Sequence, residues 1–484
     1  MVDVKTHRMP IGGEWVESES GKTMETINPA TGEKLGEVPL ANGTDVDRAV
    51  RAAKRAFPDW SRLEPKERGK RLSDLGKRIA PRVEEISRLE TLDSGNPLVG
   101  MRGDVLRTIE TLEYYAGLAY EFRGQTIPGV HGRLNYVLQQ PFGVVGRIIP
   151  YNHPFQFAAT RLAAPLLAGN TIVIKPPEQA PLSALELYRE IAEVFPPGVV
   201  NIVTGDGPTT GDALVRHPEV PRIAFIGSVE TGRLIMRNAS DWIKKVSLEL
   251  GGKNPMIVFP DADVDKTVGL AVAGMNFTRS QGQSCGSTSR LFLHESLHDE
   301  FVEKLVARVR KIRIGMPIEE ETEMGCLISK EQFDKVMGYI RVGQEEGAKL
   351  LTGGKKPDDP RLQNGFFLEP TVFDGVKSTM RIAQEEIFGP VLSVITWNDY
   401  ETMLEQANSV IYGLTAGIVT GDLKKAHETA ARVEAGYVWI NGCSNHFLAA
   451  PFGGWKQSGL GREESLEELL SYTQTKNVNV NLNF

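Results

Sequence analysis

Residues 141–207 read PFGVVGRIIPYNHPFQFAATRLAAPLLAGNTIVIKPPEQAPLSALELYREIAEVFPPGVVNIVTGDG. Short Val/Ile-rich runs alternate with longer segments of helical spacing. Residues 144–149 read as a buried strand, 155–167 as a helix, 171–174 as a strand, 182–194 as a helix and 199–203 as a strand. Proline and glycine fall between these elements, where they interrupt nothing. Apolar strands separated by helices specify a parallel sheet covered on both faces, an α/β fold. Residues 222–226 and 246–250 continue the series. A second α/β series begins near Pro255, with strands expected at 256–259, 291–294, 391–397, 416–419 and 437–440.

Upstream, the first 125 residues read as mainly helical. Thr44 is positioned to cap a helix through Val46, Ala49, Val50, Ala53 and Phe57. Longer helical patterns cover 66–91 and 105–122. The tail from Ser471 alternates weakly and ends polar, as an edge strand that pairs with another subunit. Residues 133–139 alternate similarly and are its expected companion. These patterns divide the chain into a first unit of 1–122 and 142–251, a second unit of 252–463, and β segments at 123–141 and 464–484.

The chain has 484 residues, 41% of them apolar and 24% charged, more than one hydrophobic core usually organises. A net charge of −7 argues against a nucleic-acid partner. No run of 18 apolar residues occurs, so no membrane span is expected. The N-terminus has no signal-peptide pattern. Three cysteines in so long a chain do not form a disulfide framework; a reducing, cytoplasmic setting is expected. The eight histidines show no metal-ligand spacing, and no metal is expected.

Two residues carry unusual surroundings. Cys285 lies in QGQSCGS, among small polar residues rather than the apolar neighbours of a core thiol. Glu249 lies in LELGGK, between two leucines and ahead of two glycines. One reads as a nucleophile and the other as a base; Glu249 reads alternatively as a buried partner of Lys253. A dinucleotide site is suggested at Gly205-Asp206-Gly207 with Gly211, whose spacing also fits a plain turn and helix start. Residues 225–232 (FIGSVETG) follow a strand and open a helix, as a phosphate site requires. Lys175 and Glu178, in KPPE at the carboxyl end of a strand, could both bond an adenosine ribose, or form a solvated turn.

Taken in order, PYNHP at 150–154, KPPE at 175–178, FIGS at 225–228, ELGGK at 249–253, GQSC at 282–285, EEIFGP at 385–390 and PFGG at 451–454 resemble the motifs of the NAD(P)-dependent aldehyde dehydrogenase superfamily, of the hydrolytic, non-CoA-acylating type. NPATGE at 28–33 also fits, and the similarity covers nearly the whole chain. The resemblance implies two Rossmann-like doubly wound domains and a small β oligomerisation flap, assembled as a homodimer or homotetramer. It implies that Cys285 attacks the aldehyde as a thiolate and that Asn152 and the Cys285 N–H hold the oxyanion. The thioester left by hydride loss is then hydrolysed by a water that Glu249 activates. Ile148, Ile149, Pro150, Tyr151, Lys175, Glu178, Gly207 and Gly211 are the implied cofactor-binding residues, with Phe225, Gly227, Ser228, Thr231, Gly232 and Leu250 beyond them. Glu386 and Phe388 match positions that hold the nicotinamide ribose and ring. Glu178 beside the adenosine ribose would repel a 2′-phosphate, which favours NAD over NADP.

The chain departs from the family pattern in two places. Arg161 stands where a proton-relaying Lys is common, while its usual acidic neighbour, Glu463, is kept. The substrate tunnel, often apolar, is here expected from His153, Gln156, Phe157, Thr160 and Ser284, with Asn445, His446 and Phe452 opposite. Arg107 falls on the same tunnel. A polar lining with a cation suits an aldehyde bearing oxygen functions or a carboxylate, such as a semialdehyde; alternatively Arg107 faces solvent or pairs with Glu110. Cys443 is near the expected tunnel mouth without a role, and Cys326 reads as core. Two competing functions are a CoA-acylating relative, against which the base Glu249 argues, and a catalytically silent crystallin-like protein, against which Cys285, Glu249 and Asn152 together argue.

Overall fold

The computed structural model describes residues 5–129 and 131–483; the first four residues of the expected first unit and the last residue of the tail lie outside this range. A six-stranded sheet runs in the order Val200–Ile202, Thr171–Lys175, Val144–Ile148, Arg222–Ile226, Lys245–Glu249, Gly459–Leu460. Its first five strands are parallel, and the last is antiparallel, pairing Glu249 with Gly459. Four of them are buried along their whole length because helices cover both faces.

A second, seven-stranded sheet runs Lys349–Thr352, Thr371–Asp374, Val391–Trp397, Arg290–His294, Pro255–Val258, Thr415–Val419, Tyr437–Ile440, antiparallel only at its first pair. The third sheet joins Thr473–Asn481 to Arg133–Pro141 and Gln125–Ile127. Tail and companion segment pair antiparallel from Thr473↔Pro141 to Asn481↔Arg133, as their matching alternation suggested.

Several local expectations are corrected. The N-terminal region is not mainly helical at its start: short strands occupy Met9–Ile11, Glu14–Val16, Thr23–Ile27 and Lys34–Pro39. At three to six residues each they are too short to show an alternation. The first helix, Gly43–Arg62, is capped by Asn42 and not by Thr44. The Asn42 side chain accepts from the Thr44 and Asp45 N–H groups, and Asp45 bonds back to the Asn42 N–H. The pattern over 66–91 is two helices, Pro65–Ile79 and Val83–Ser94, separated where Pro81 removes a donor. The helix expected over 155–167 breaks likewise into Pro154–Thr160 and Ala163–Leu167, because Pro165 cannot bond the Arg161 carbonyl. The strands Lys349–Thr352 and Thr371–Asp374 were not expected; the first is a half-exposed edge strand without an apolar run.

Candidate active site

Three chain segments meet beyond the carboxyl ends of the first sheet. Asn152 follows strand Val144–Ile148, and Glu249 ends strand Lys245–Glu249. Cys285 arrives from the second unit, in the turn after helix Phe277–Ser280. The turn is held by Asn254, whose Nδ2 donates to the carbonyls of Cys285 (2.7 Å) and Ser287 (2.9 Å). Asn276 and Gln281, flanking that short helix, adopt φ of +56° and +53°. Left-handed backbone at non-glycine residues costs about 1–3 kcal/mol each and is retained where position matters.

Cys285, Glu249 and Asn152 border one cavity of about 510 Å³. All nine residues expected in the tunnel, Arg107, His153, Gln156, Phe157, Thr160, Ser284, Asn445, His446 and Phe452, line the same cavity. Sequence reasoning missed Arg279, Glu464 and Trp439 on its wall. Arg279 stands six positions before Cys285, in the short helix Phe277–Ser280 that leads into its turn, and that nearness was the available signal. Trp439 donates its indole N–H to the Asn445 carbonyl at 2.8 Å and so shapes the loop. Nothing local in the sequence marks it.

The electrostatics set the resting state. Burial pushes the Cys285 thiol up to about 12, and the Glu249 and Glu386 charges add to this, while the Gly286 N–H opposes it. Burial holds the Glu249 carboxyl well above its ordinary range, and Glu463 raises it further. The Glu249 charge thus disfavours the Cys285 thiolate, a like-charge effect. Both Glu249 oxygens are buried without a hydrogen-bond partner, as is Asn152 Oδ1. No ion pair joins Glu249 to Lys253, whose Nζ is itself buried and unpartnered. That alternative for Glu249 is therefore set aside. A carboxylate left free to face a cavity can take a proton from water placed there.

Arg107 does what its alternative reading described: Nη1 lies 3.4 Å from Glu110, and Nη2 donates to the His446 carbonyl at 2.8 Å. It still borders the cavity while bridging its mouth. His153 is tied by Nδ1 to the buried Asp104 at 2.6 Å, and Arg279 pairs with the other oxygen of Asp104. Cys326 is buried core. Cys443 donates to the Leu270 carbonyl at 3.2 Å and does not line the cavity.

Most of the expected cofactor residues lie at or just beyond the carboxyl ends of the first sheet's strands. Lys175 is buried at its strand end, donating to the Pro176 carbonyl at 3.1 Å. Glu178 accepts from the Gly207 N–H at 3.0 Å, which ties the 175–178 turn to the 205–211 turn. Gly211 closes on the Lys175 stem, where a Cβ would sit 3.8 Å from Cδ. Ile148, Ile149, Phe225 and Leu250 are buried walls. Ser228 caps helix Val229–Ser240, accepting from the Thr231 N–H. Gly227 and Gly232 have a packing reason of their own, since a Cβ would strike the Phe225 ring or the Leu250 side chain. Their smallness alone therefore does not mark a phosphate site. Glu386 reaches across from the second unit and accepts from the Gly252 N–H at 2.8 Å. Phe388 packs edge-on against Tyr151 at 5.8 Å. The donor set suits a dinucleotide: a buried Lys beside a carboxylate for a ribose, and an aromatic pair with a second carboxylate where Cys285 is near.

A half-buried thiol, a free carboxyl and an amide on one cavity, beyond the strand ends of a doubly wound sheet, suit a cysteine-dependent oxidoreductase. Residues 15–478 match the aldehyde dehydrogenase family, and the chain belongs to it. It is an aldehyde dehydrogenase, an oxidoreductase acting on the aldehyde group of its donor. It is 46% identical over 483 residues to the aldehyde dehydrogenase tropH of Talaromyces stipitatus, covering 98% of this chain and 93% of that one. It is 43% identical over 475 residues to hydroxyisobutyraldehyde dehydrogenase of Mycolicibacterium austroafricanum, covering 98% and 94%. Among solved structures, the NAD+ complex of aldehyde dehydrogenase from Bacillus cereus superimposes with a TM-score of 0.95 at 42% identity, covering 99% of this chain and 97% of that one.

Proposed function

We propose that the protein oxidises a polar or carboxylated aldehyde to its carboxylic acid with NAD, using Cys285 as nucleophile and Glu249 as base. The observation that carries the reading is the single cavity bordered by Cys285, Glu249 and Asn152 and walled by Arg107, Arg279, His153 and His446. When bound, the cofactor would supply the hydride acceptor. Cys285 adds to the aldehyde carbon and makes it tetrahedral, which is what allows hydride to leave. Asn152 Nδ2 and the Cys285 N–H stabilise the oxygen as it becomes negative. Glu249 then removes a proton from water, which attacks the thioester and releases the acid. Glu249 also argues against CoA as the acyl acceptor, and the full catalytic set argues against a silent relative.

Lys175 and Glu178 are the residues that would hold the adenosine ribose, and Glu386 with Phe388 and Tyr151 the nicotinamide end. The Glu178 carboxylate favours NAD, since a 2′-phosphate there meets a like charge. Substituting Glu178→Gln is expected to raise the NADP-to-NAD ratio of kcat/KM by about ten-fold, roughly 1.4 kcal/mol of relieved repulsion. An unchanged ratio contradicts the assignment. The exposed edge of Thr473–Asn481 supports a homodimer or homotetramer built by strand pairing.

Substrate class is tested by NADH formation with aldehydes of matched length bearing a carboxylate, a hydroxyl or a methyl end. The carboxylated or hydroxylated member is expected to have the highest kcat/KM. Arg107→Met should raise KM for a carboxylated aldehyde several-fold and leave the methyl-ended one nearly unchanged. A preference for the methyl-ended aldehyde in the native enzyme overturns the polar assignment.

A further inference from the structure

We propose that the proton collected by Glu249 leaves the site through Glu464 and His446, with Arg161 holding this route in place and carrying no proton itself. The inference rests on the reading of Glu249 as the hydrolytic base. In that step an O–H bond of water breaks, its oxygen bonds the acyl carbon, and the C–S bond breaks to return the thiolate. One proton is left on Glu249 and must go before the next turnover.

The groups behind Glu249 close most exits. Arg161 lies 3.1 Å from Glu463, donates to Glu464 at 2.9 Å and stands 3.7 Å from Glu468. Those three carboxylates hold its guanidinium well above even the usual arginine range, and an arginine does not give up its proton. Glu463 is committed to the buried Arg147 at 2.5 Å. Glu468 is bonded to Tyr115 at 2.5 Å and does not line the cavity.

Glu464 differs. Like Glu463 it borders the cavity together with Glu249 and Cys285, but its second oxygen meets an imidazole, His446 Nδ1, at 3.0 Å. Although burial opposes it, the His446 and Arg161 charges hold the Glu464 carboxyl well below the usual range. His446 also borders the cavity, and its side chain is 30% exposed. Its ring is stacked on Phe452 at 4.4 Å and on Tyr437 at 5.7 Å, which fixes its direction. The other charges facing it are Arg107, on its carbonyl, and Glu110, paired with Arg107. Imidazole is the side chain whose ordinary titration lies near neutrality, and water in a shared polar cavity can bridge a carboxyl to it. His153 is the other imidazole on the cavity, but its Nδ1 partner is Asp104, outside the Arg161 cluster.

The test is rapid-mixing kinetics of the full-length enzyme with NAD and its best aldehyde. His446→Ala should keep a burst of about one NADH per site and slow the steady phase about ten-fold. Free imidazole should accelerate that steady phase and leave the burst unchanged. Glu464→Gln removes the carboxylate that passes the proton to His446, so it should likewise keep the burst and slow the steady phase. The burst also reports that each variant is folded. Loss confined to KM, a steady phase indifferent to imidazole, or imidazole rescue of His153→Ala instead of His446→Ala overturns the proposal. If the native enzyme releases no acid, or requires CoA to turn over, the underlying reading of Glu249 fails instead.

Discussion

Replacing Cys285 with alanine is expected to cut NADH formation by about 10⁴-fold or more, the scale of losing a covalent nucleophile. A trigonal aldehyde carbon does not readily release hydride, and no other thiol can take over. Cys326 is buried in the core, and Cys443 is turned to the Leu270 carbonyl away from the cavity. NAD binding should persist, because Lys175, Glu178 and Glu386 are untouched; titration of the variant with NAD checks this. Activity within ten-fold of the native enzyme contradicts the nucleophile assignment.

Glu249→Gln is expected to separate the two halves of the reaction. Hydride transfer does not need the base, so one NADH per site should still form rapidly. Hydrolysis does need it, and kcat should fall by about 10²–10⁴-fold. The same substitution removes a charge that raises the Cys285 thiol. Thiolate forms at higher pH, so the burst rate rises with pH; with the Glu249 charge gone, that rise should move to lower pH. Rapid mixing across a pH series measures both effects. A variant with native kcat and an unshifted profile places Glu249 outside the chemistry.

The large elements of the fold were legible because their signals are local and repeated. The runs ending at Ile148, Lys175 and Ile226 are mostly apolar and buried along their whole length, as in a doubly covered sheet, with Arg147, Lys175 and Arg222 as charged exceptions. Boundaries were less legible where one proline decides them, as at Pro81 and Pro165. The antiparallel strand Gly459–Leu460 could not be read at all, since two residues carry no pattern and only tertiary contact places them beside Glu249.

At the site, the odd settings of Cys285 and Glu249 were visible in the chain, and so was the polar tunnel. What a sequence does not display is how charges are distributed among partners. Arg107 is largely committed to Glu110 and the His446 carbonyl. Asp104 gathers both His153 and Arg279 from distant segments. Glu464, next to the expected Glu463, turns out to link Arg161 to His446. These pairings depend on side-chain directions across three elements, and spacing along the chain says nothing about them.

The central claim is that Cys285 carries the acyl group and Glu249 releases it. The most direct measurement is the mass of the Glu249→Gln enzyme quenched in acid after mixing with aldehyde and NAD, followed by peptide mapping. The account predicts one acyl group per chain, on the peptide containing Cys285, with none after the same treatment of the native enzyme at completion. An acyl group on Cys443 or on a non-cysteine residue, or no adduct while NADH has formed, would contradict it.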